Sequence, residues 1–590
     1  MSIFNVFSLL GGLALFLYGM DEMGKALEKQ AGGKLEKILS KLTASPMKGF
    51  ALGLLVTAVI QSSSATTVMV VGFVNSGIMQ LHQAIGIIMG SNVGTTVTSW
   101  LLSLSGIEGD SFWIKLLKPS SFSPVLAFIG IVLYMFSKSE KKKSIGTILI
   151  GFAVLMTGMS TMSAAVAPLE HEAWFTNLFV RFQNPLLGVL AGALLTAVIQ
   201  SSSASVGILQ ALSATGAITF GSAIPIIMGQ NIGTCVTALI SSIGANKNAR
   251  RAAMVHLYFN VIGVLVFLAG FYSLNALLHF TFVEQTVSGV GIAIVHTVFN
   301  LVTTAVLLPF SNVLEKLAVL TIPDTADQEE ATSLLDPRLL ATPAVAVDRA
   351  TITTGDMAEI ARMALLQAMS LTHTWDEALA SSVERAENSI DQHEDMLGTY
   401  LVQLSTREMT QEDSRAVNTL LHTIGDFERI GDHAMNIVKT AREIHEKDIR
   451  FSEHAQEELE VLEGAIQDIV ARTIDSFEKQ DLHLAGKVEP LEQVVDGLVR
   501  EIKTRHIARL QSGQCSIAYG FVLDDLLTNY ERIADHCSNI AVAMIEVAQD
   551  SFDTHAYLSK LKEGNETFSQ QYEKYRARYL FPENTEDAGK

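Results

Sequence analysis

Cysteine is scarce in this chain of 590 residues, and its three cysteines, Cys235, Cys515 and Cys537, are odd in number and far apart. They exclude a framework of paired disulfides. Basic charge is scarce in the second half, where residues 311–590 carry 26 Lys/Arg against 51 Asp/Glu, so we expect no nucleic-acid partner. No glycine-rich nucleotide loop or nucleophile–base arrangement appears, so we predict that the protein is not an enzyme.

Long charge-free apolar runs are confined to the first half, which carries 16 Lys/Arg and 10 Asp/Glu over residues 1–310. Runs such as 6–18 and 122–136 approach the length of a membrane span. The first run lacks a basic flank and a cleavage site, so we expect it to be retained. The second half has no such run and is typical of a soluble domain.

An internal repeat organises the membrane half. The string TAVIQSSSA occurs at 57–65 and again at 196–204, an offset of 139 residues. The same offset aligns IIMGSNVGTTVT (87–98) with IIMGQNIGTCVT (226–237), and 23 of the 46 positions from Gly53 to Thr98 are identical to their partners. Apolar composition alone does not produce a nine-residue identity that contains Gln and three Ser, so the repeat is a true duplication.

Each repeat predicts the same set of elements. In the first copy we expect a span at about 3–20 and a re-entrant hairpin with arms 49–60 and 65–78, because each arm is too short to cross a bilayer. A segment at 82–104, broken at 90–94, and a span at 122–136 follow. The repeats cover about 3–136 and 144–243, and two further spans are expected at about 252–272 and 287–309.

Charge predicts the topology of these spans. Three crossings per repeat require the second copy to enter the membrane inverted. With the N-terminus outside, the inside segments 22–48, 137–143 and 245–251 hold most of the lysines and arginines, as the positive-inside rule requires. The outside segment 105–121 fits less well. We therefore expect a multi-pass protein of the inner (plasma) membrane with its C-terminal half in the cytoplasm.

The hairpin tips predict an anion site. Inverted repeats with broken helices are typical of secondary transporters, whose substrate binds at the midplane. Each QSSS tip places serine hydroxyls at a helix N-terminus, where free N–H groups and the helix dipole favour an anion. No Lys or Arg lies near either tip in the sequence, so we expect a co-bound cation, and Ser, Thr and Asn oxygens suit Na⁺. The competing interpretation is that these residues are ordinary packing residues between membrane helices.

These motifs resemble the type II sodium/phosphate cotransporter family over roughly residues 1–315. The resemblance implies two overlapping sets of ligands. For phosphate these are Gln61, Ser62, Ser63, Ser64, Gln200, Ser201, Ser202, Ser203, Asn92 and Asn231. For sodium they are Gln61, Ser64, Asn92, Thr95, Gln200, Ser203, Asn231 and Thr234.

Two strings of the membrane half, VHLYFN (255–260) and VHTVFN (295–300), place His and Asn four residues apart on one helix face. Polar contacts between helices are the favoured interpretation. A proton-sensitive gate is the alternative.

The second half predicts a linker at 316–350, a helical domain at 351–555 and a tail at 556–590. DFERIGDHAMNI (426–437) and NYERIADHCSNI (529–540) repeat at an offset of 103, each with an acidic pair upstream. Carboxylates at i and i+4 share a helix face and are ligands for hard metals, although a solvated acidic face or ion pairs with Arg429 and Arg532 would also explain them.

This half resembles the PhoU family, two three-helix repeats that bind metal clusters. The resemblance implies a regulatory domain with a divalent metal or iron held by Glu387, Asp391, Glu428, Asp432, Glu492, Asp496, Glu531 and Asp535.

The predicted fold class is therefore all-α: a membrane transporter of two inverted repeats with re-entrant hairpins, followed by a soluble PhoU-like helical bundle. The expected partners are inorganic phosphate, sodium and the lipid bilayer, with a homodimer as a candidate assembly. Two functions compete with a sodium/phosphate symporter. One is a sodium-coupled symporter of another small anion, and the other is a membrane-tethered metal or phosphate sensor.

Overall fold

The computed structural model describes residues 2–41, 45–106, 118–323, 335–513, 515, 517–549 and 566–581. Within these residues the regular elements are helices, apart from one isolated bridge between Thr219 and Thr286. This confirms the predicted all-α class. The predicted outside segment 105–121 and linker lie partly outside the described residues, at 107–117 and 324–334, and so does the tail, at 556–565 and 582–590.

The chain divides into two compact units, 1–345 and 346–590. The helices of the first unit are α1 (Ile3–Lys41), α2 (Pro46–Ile60), α3 (Ser63–Asn75), α4 (Leu81–Ser103), α5 (Pro119–Phe136), α6 (Glu140–Val166), α7 (Ala173–Arg181), α8 (Pro185–Ile199), α9 (Ser202–Ser213), α10 (Phe220–Ser241), α11 (Lys247–Leu278), α12 (Gly289–Leu307) and α13 (Ser311–Thr321). A 3₁₀ turn, Pro337–Ala341, also belongs to this unit.

Six helical stretches of the described residues are long and apolar enough to cross a membrane, or seven if the bent pair α7 and α8 forms one span. They are Ile3–Gln30, Leu81–Gly106, Glu140–Glu170, Phe220–Ser241, Lys247–Leu278 and Gly289–Thr321. The first unit therefore has the helices of a multi-pass membrane protein. Helix α1 is longer than the predicted span 3–20, because it continues without a break to Lys41.

The repeat reappears in the helix boundaries. Helices α2, α3 and α4 begin at Pro46, Ser63 and Leu81. Helices α8, α9 and α10 begin 139 residues later in each case, at Pro185, Ser202 and Phe220. Helices α2 and α3 have 15 and 13 residues, which is too short for a span, and a two-residue break separates them.

The predicted break at 90–94 is wrong, because α4 runs unbroken through this segment, as α10 does through its counterpart. The glycines there serve close packing and not a break. A Cβ atom at Gly90 would lie 2.0 Å from the carbonyl oxygen of Phe50 in α2, and one at Gly229 would lie 2.0 Å from that of Val189 in α8. Small residues thus let the long helix of each repeat approach the hairpin arm.

Helices occupy both ends of the segment 316–350 that was predicted as a linker. Helix α13 extends to Thr321, and residues 335–342 belong to the first compact unit. Helix α14 begins at Pro343, before the expected end of the linker.

The remaining helices belong to the second unit, although α14 begins in the first unit. They are α14 (Pro343–His373), α15 (Glu377–Ser405), α16 (Gln411–Glu446), α17 (Glu453–Lys479), α18 (Leu482–Ala485), α19 (Val488–Gln511), α20 (Ile517–Gln549) and α21 (Glu566–Arg578). Its core contains Phe427 of α16 and Phe477 of α17, with ring centroids 5.3 Å apart. The duplicated strings lie in α16 and α20, where His433 bonds Asn529 and His536 bonds Asp426. This cross-pairing brings the two copies of the acidic motif onto neighbouring helices.

Candidate functional site

Both hairpin tips have the same backbone geometry. Gln61 ends α2 with φ of 62°, and Gln200 ends α8 with φ of 59°, so each glutamine turns the chain in the left-handed region. The next residue, Ser62 or Ser201, caps the following helix, and its hydroxyl accepts a hydrogen bond from the backbone N–H three residues on. Serine hydroxyls therefore lie at a helix N-terminus at both tips, as the sequence predicts.

The two tips meet in the structure. The hydroxyl oxygens of Ser63 and Ser202 lie 3.4 Å apart, and both residues are 5% exposed. Ser64 donates a hydrogen bond of 3.4 Å to the backbone oxygen of Gln200. Since Ser63 begins α3 and Ser202 begins α9, two helix N-termini converge on one point. Such a point favours negative charge.

Asn92, Thr95, Asn231 and Thr234 are buried, but their hydrogen bonds do not run to the tips. Each side chain donates to the carbonyl oxygen four residues earlier in its own helix, at 2.8 to 3.0 Å. The Oδ1 atom of Asn92 also accepts from Asn260 of α11, at 3.5 Å. These bonds orient the amide and hydroxyl groups, and they engage backbone carbonyl oxygens of the unbroken helices α4 and α10.

The repeats differ in one cluster of oxygens that sequence reasoning missed. In the first repeat, the hydroxyl of Thr57 is hydrogen-bonded to the hydroxyl of Thr66 at 3.0 Å and to that of Ser91 at 2.9 Å. The matching positions of the second repeat are Thr196, Ser205 and Gln230. Their Oγ1, Oγ and Oε1 atoms are fully buried and have no hydrogen-bond partner.

Sequence comparison of the two repeats contained the signal for this difference, because Ser91 aligns with Gln230 in an otherwise matching string. A buried oxygen without a partner is costly, and hydroxyl and amide oxygens of this kind are suitable ligands for a hard cation. Gln61 carries a further buried, unpartnered Oε1 at the first tip.

A cavity of about 380 Å³ reaches the tips. It is lined by Glu28, Ser64, Ala65, Val68, Met69, Gln200, Thr237, Ile240, Ser241 and Ala341. The lining thus includes one residue of each tip, Ser64 and Gln200, and one carboxylate, Glu28 of α1. No lysine or arginine is among these residues.

The two His–Asn strings form polar contacts between helices. His296 of α12 bonds the hydroxyl of Ser99 in α4 at 2.8 Å, and Asn260 of α11 donates to Asn92 of α4 and to the sulfur of Cys235 in α10. These contacts support the interpretation that the strings hold the helices together.

The second unit gathers six of its eight predicted metal ligands. Glu387, Asp391 and Asp432 form one group and Glu492, Asp496 and Asp535 form another, each with ligand atoms within 4.8 Å of one another. Three carboxylates at this spacing fit a hard cation such as Mg²⁺ or Mn²⁺. Glu428 and Glu531 lie outside these groups, and Glu428 contacts Arg429 at 3.4 Å.

Arginines accompany both groups. Arg429 bonds Asp432 at 2.9 Å, and Arg532 bonds Asp535 at 3.2 Å, so the ion pairs considered from the sequence are formed. They are surface contacts, and further basic residues act on the other carboxylates, Lys439 on Glu387 and Arg500 on Asp496.

Burial and mutual repulsion raise the pKa of several of these carboxyl groups. Burial, followed by the charges of Glu489 and Asp496, raises the pKa of Glu492 to about 8. The pKa of Asp496 is raised by burial and by Glu531, which is therefore close to the second group. Burial also raises the pKa of Glu387, with Asp391 and Asp432 adding to the effect. A metal ion would relieve this repulsion.

Two family models match the chain. The model described as Na⁺/Pi-cotransporter matches residues 15–164 and 168–298, and the PhoU domain model matches residues 354–441 and 460–544. The first match includes both QSSS tips, and the second includes all eight predicted carboxylate ligands.

Several curated proteins are similar to the chain. "Uncharacterized protein YqeW" of Bacillus subtilis is 31% identical over 314 residues, which cover 53% of this chain and 96% of that protein. "Putative inorganic phosphate export protein YjbB" of Escherichia coli K12 is 25% identical over 550 residues, 91% of this chain and 97% of that protein. "Sodium-dependent phosphate transport protein 2A" of Rattus norvegicus is 40% identical over 99 residues, 16% of this chain and 15% of that protein.

Proposed function

The chain belongs to the Na⁺/Pi-cotransporter family and carries a PhoU domain, and on that premise we propose that it is a sodium-coupled transporter of inorganic phosphate. The substrate site is the meeting point of the two QSSS tips, and the observation that carries the proposal is the 3.4 Å approach of Ser63 and Ser202. One similar protein is named for sodium-dependent phosphate transport and another for phosphate export.

The tips supply the chemistry that a phosphate ion needs. Two helix N-termini and the hydroxyls of both tips present hydrogen-bond donors without a formal positive charge. Phosphate is bound by such neutral donors when its own charge is balanced elsewhere. The repeats contribute equally, which is the arrangement expected of inverted repeats around a midplane site.

A co-bound cation is part of this proposal because the residues that line the cavity reaching the tips include no lysine or arginine. Moving a phosphate ion into a low-dielectric site is costly, and a sodium ion that enters with it offsets this cost. The buried oxygens of Thr196, Ser205 and Gln230, together with Gln61, are hard ligands that suit Na⁺. We therefore add Thr196, Ser205 and Gln230 to the sodium ligands proposed from the motifs.

The second unit is the regulator in this proposal. Its two sets of three carboxylates each hold Mg²⁺, Mn²⁺ or an iron ion. The unit lies in the cytoplasm, as the charge bias of the first unit predicts. Coupled transport is reversible, so the net direction follows the gradients of sodium and phosphate.

The deciding experiment is phosphate flux in proteoliposomes. We expect uptake when a sodium gradient is imposed and little uptake when choline replaces sodium. Equal phosphate flux in the sodium and choline buffers would contradict the proposed sodium coupling. Phosphate binding without flux would favour the membrane-tethered sensor, and flux of another oxyanion in preference to phosphate would favour the other symporter.

Serine substitutions then test the site. Ser63→Ala and Ser202→Ala each remove a donor to a desolvated anion, a loss of about 1.5–3 kcal/mol. We expect phosphate affinity to fall by about ten- to hundredfold in each. Ser213→Ala is the matched control, since Ser213 is buried at the other end of α9 and bonds only within its own helix turn. If one tip tolerates alanine, the site is built on a single repeat.

A further inference from the structure

Residues 335–342, which we name the strap, pack closely against other residues of the first unit. Asp336 is 1% exposed, and Leu339 and Thr342 are equally buried. A Cβ atom at Gly72 of α3 would lie 3.4 Å from the Cβ of Arg338, so the strap lies directly on α3. Burial of an aspartate at this contact requires specific partners.

Asp336 finds those partners at the end of α3. Its carboxylate accepts a hydrogen bond from the side-chain amide of Asn75 and another, at 2.8 Å, from the backbone N–H of Arg338. Asn75 in turn accepts at 2.7 Å from the backbone N–H of Asn246, which caps α11. One buried asparagine thus joins the strap to two helices of the transport unit.

Arg338 attaches the strap to α10. Its Nε donates to the carbonyl oxygen of Ser241 at 2.6 Å, and its NH2 group donates to that of Ile243 at 2.8 Å. These carbonyls lie at the end of α10, where a cation is favoured by the helix dipole. Since α3 belongs to the first repeat and α10 to the second, the strap ties the two repeats together.

The strap also forms part of the wall of the cavity that reaches the tips. Ala341 lines this cavity together with Ser64, Gln200 and Val68. Moving the strap away would widen the cavity on that side. The chain passes from Thr342 directly into Pro343, the first residue of α14, so no further residues separate the strap from this helix.

We propose that the strap is a latch that closes one entrance to the substrate cavity, and that the soluble unit controls transport by releasing it. The proposal rests on the assignment of the tips as the substrate site. In the latched state Asp336 and Arg338 hold the ends of α3 and α10 at a fixed separation. Release frees both helices and opens the cavity beside Ser64.

The test is the reactivity of a cysteine at Val68, a cavity residue close in size to cysteine. The full-length Val68→Cys protein is treated in detergent with a membrane-impermeant maleimide, and labelling of its peptide is followed by mass spectrometry, which separates it from the three native cysteines. Arg338→Ala is expected to raise the labelling rate by about tenfold, because it removes both bonds to α10 and shifts the latch toward its open state. Asn75→Ala is also expected to raise the labelling rate, because it removes the side-chain amide that bonds Asp336.

Arg349→Ala is the matched control, since Arg349 lies just beyond the strap on α14 and we expect the parental rate there. Gel filtration and thermal melting establish that each variant is folded, and two independent variants guard against failure of either one. An unchanged labelling rate in folded Arg338→Ala and Asn75→Ala would overturn the latch. Because the labelling needs neither phosphate nor sodium, its outcome is independent of whether the protein carries phosphate.

Discussion

Replacing Glu492 by glutamine is expected to change how metal binding by the second unit depends on pH. Glu492 is 7% exposed and lies in one group with Asp496 and Asp535. Its pKa, raised to about 8, means that the metal-free group holds a proton at neutral pH. A metal ion must displace that proton before the carboxylate can coordinate it.

The size of the effect follows from this competition. Affinity for the metal falls as pH drops below 8, because the fraction of Glu492 that carries the competing proton rises. Between pH 8 and pH 6 a single competing proton with a pKa of about 8 lowers the apparent affinity by about fiftyfold. Because the carboxyl groups of this cluster interact, the pKa values observed on titration belong to the cluster as a whole and not to single residues.

The assay is manganese titration of the full chain, with one group disabled at a time. Asp391→Asn leaves the second group intact, and Asp496→Asn leaves the first. The protein with the second group should show the steep pH dependence, and adding Glu492→Gln should flatten it while lowering affinity at pH 8. Asp395→Asn, an exposed carboxylate outside both groups, is the control.

Stability gives a second measurement of the same proton. The pKa of Glu492 is raised above its value of 4.5 in an unfolded chain, so the folded unit binds a proton that the unfolded chain releases. Without metal, the stability contributed by protonation is fully present below pH 4.5 and is lost as pH rises toward 8.

Equal manganese affinity at pH 6 and pH 8 in Asp391→Asn, or no manganese binding at all, would refute this reasoning.

Three further predictions concern the first unit. Thr196→Ala should raise the sodium concentration needed for transport, whereas Thr57→Ala, which breaks two hydrogen bonds, should mainly lower the melting temperature. Gly229→Ala should prevent close packing of α10 on α8 and lower the folded yield, while Gly270→Ala, which has open space around it, should be tolerated. A chain ending after Thr342 keeps the strap and should resist maleimide at Val68→Cys, whereas one ending after residue 323 should label rapidly.

The hairpin tips could be predicted from the sequence because their chemistry is local. A serine after a left-handed residue caps the helix that follows, and the duplication shows that the pattern is not an accident of composition. The approach of Ser63 and Ser202 is a contact between residues 139 positions apart, and only the repeat symmetry suggested it.

Other features could not be predicted, for physical reasons. Glycine is used both to break a helix and to let helices touch, so Gly90 alone cannot distinguish the two uses. The strap contains Pro and Asp and therefore looks like a linker, since its partners Asn75 and Ser241 are remote in the sequence. In the second unit, i and i+4 spacing identified the carboxylate faces, but not which six of the eight carboxylates come together, because that depends on contacts between helices.

The glutamines at the hairpin tips have a consequence for how the protein can be improved in the laboratory. A residue with a side chain at φ near 60° is strained relative to glycine, by on the order of 1 kcal/mol. Glycine at position 61 or 200 should therefore give a chain that folds more readily but has lost an amide at the substrate site. Selection for thermostability alone would discard Gln61 and Gln200, and a selection that also demands flux is needed to retain them.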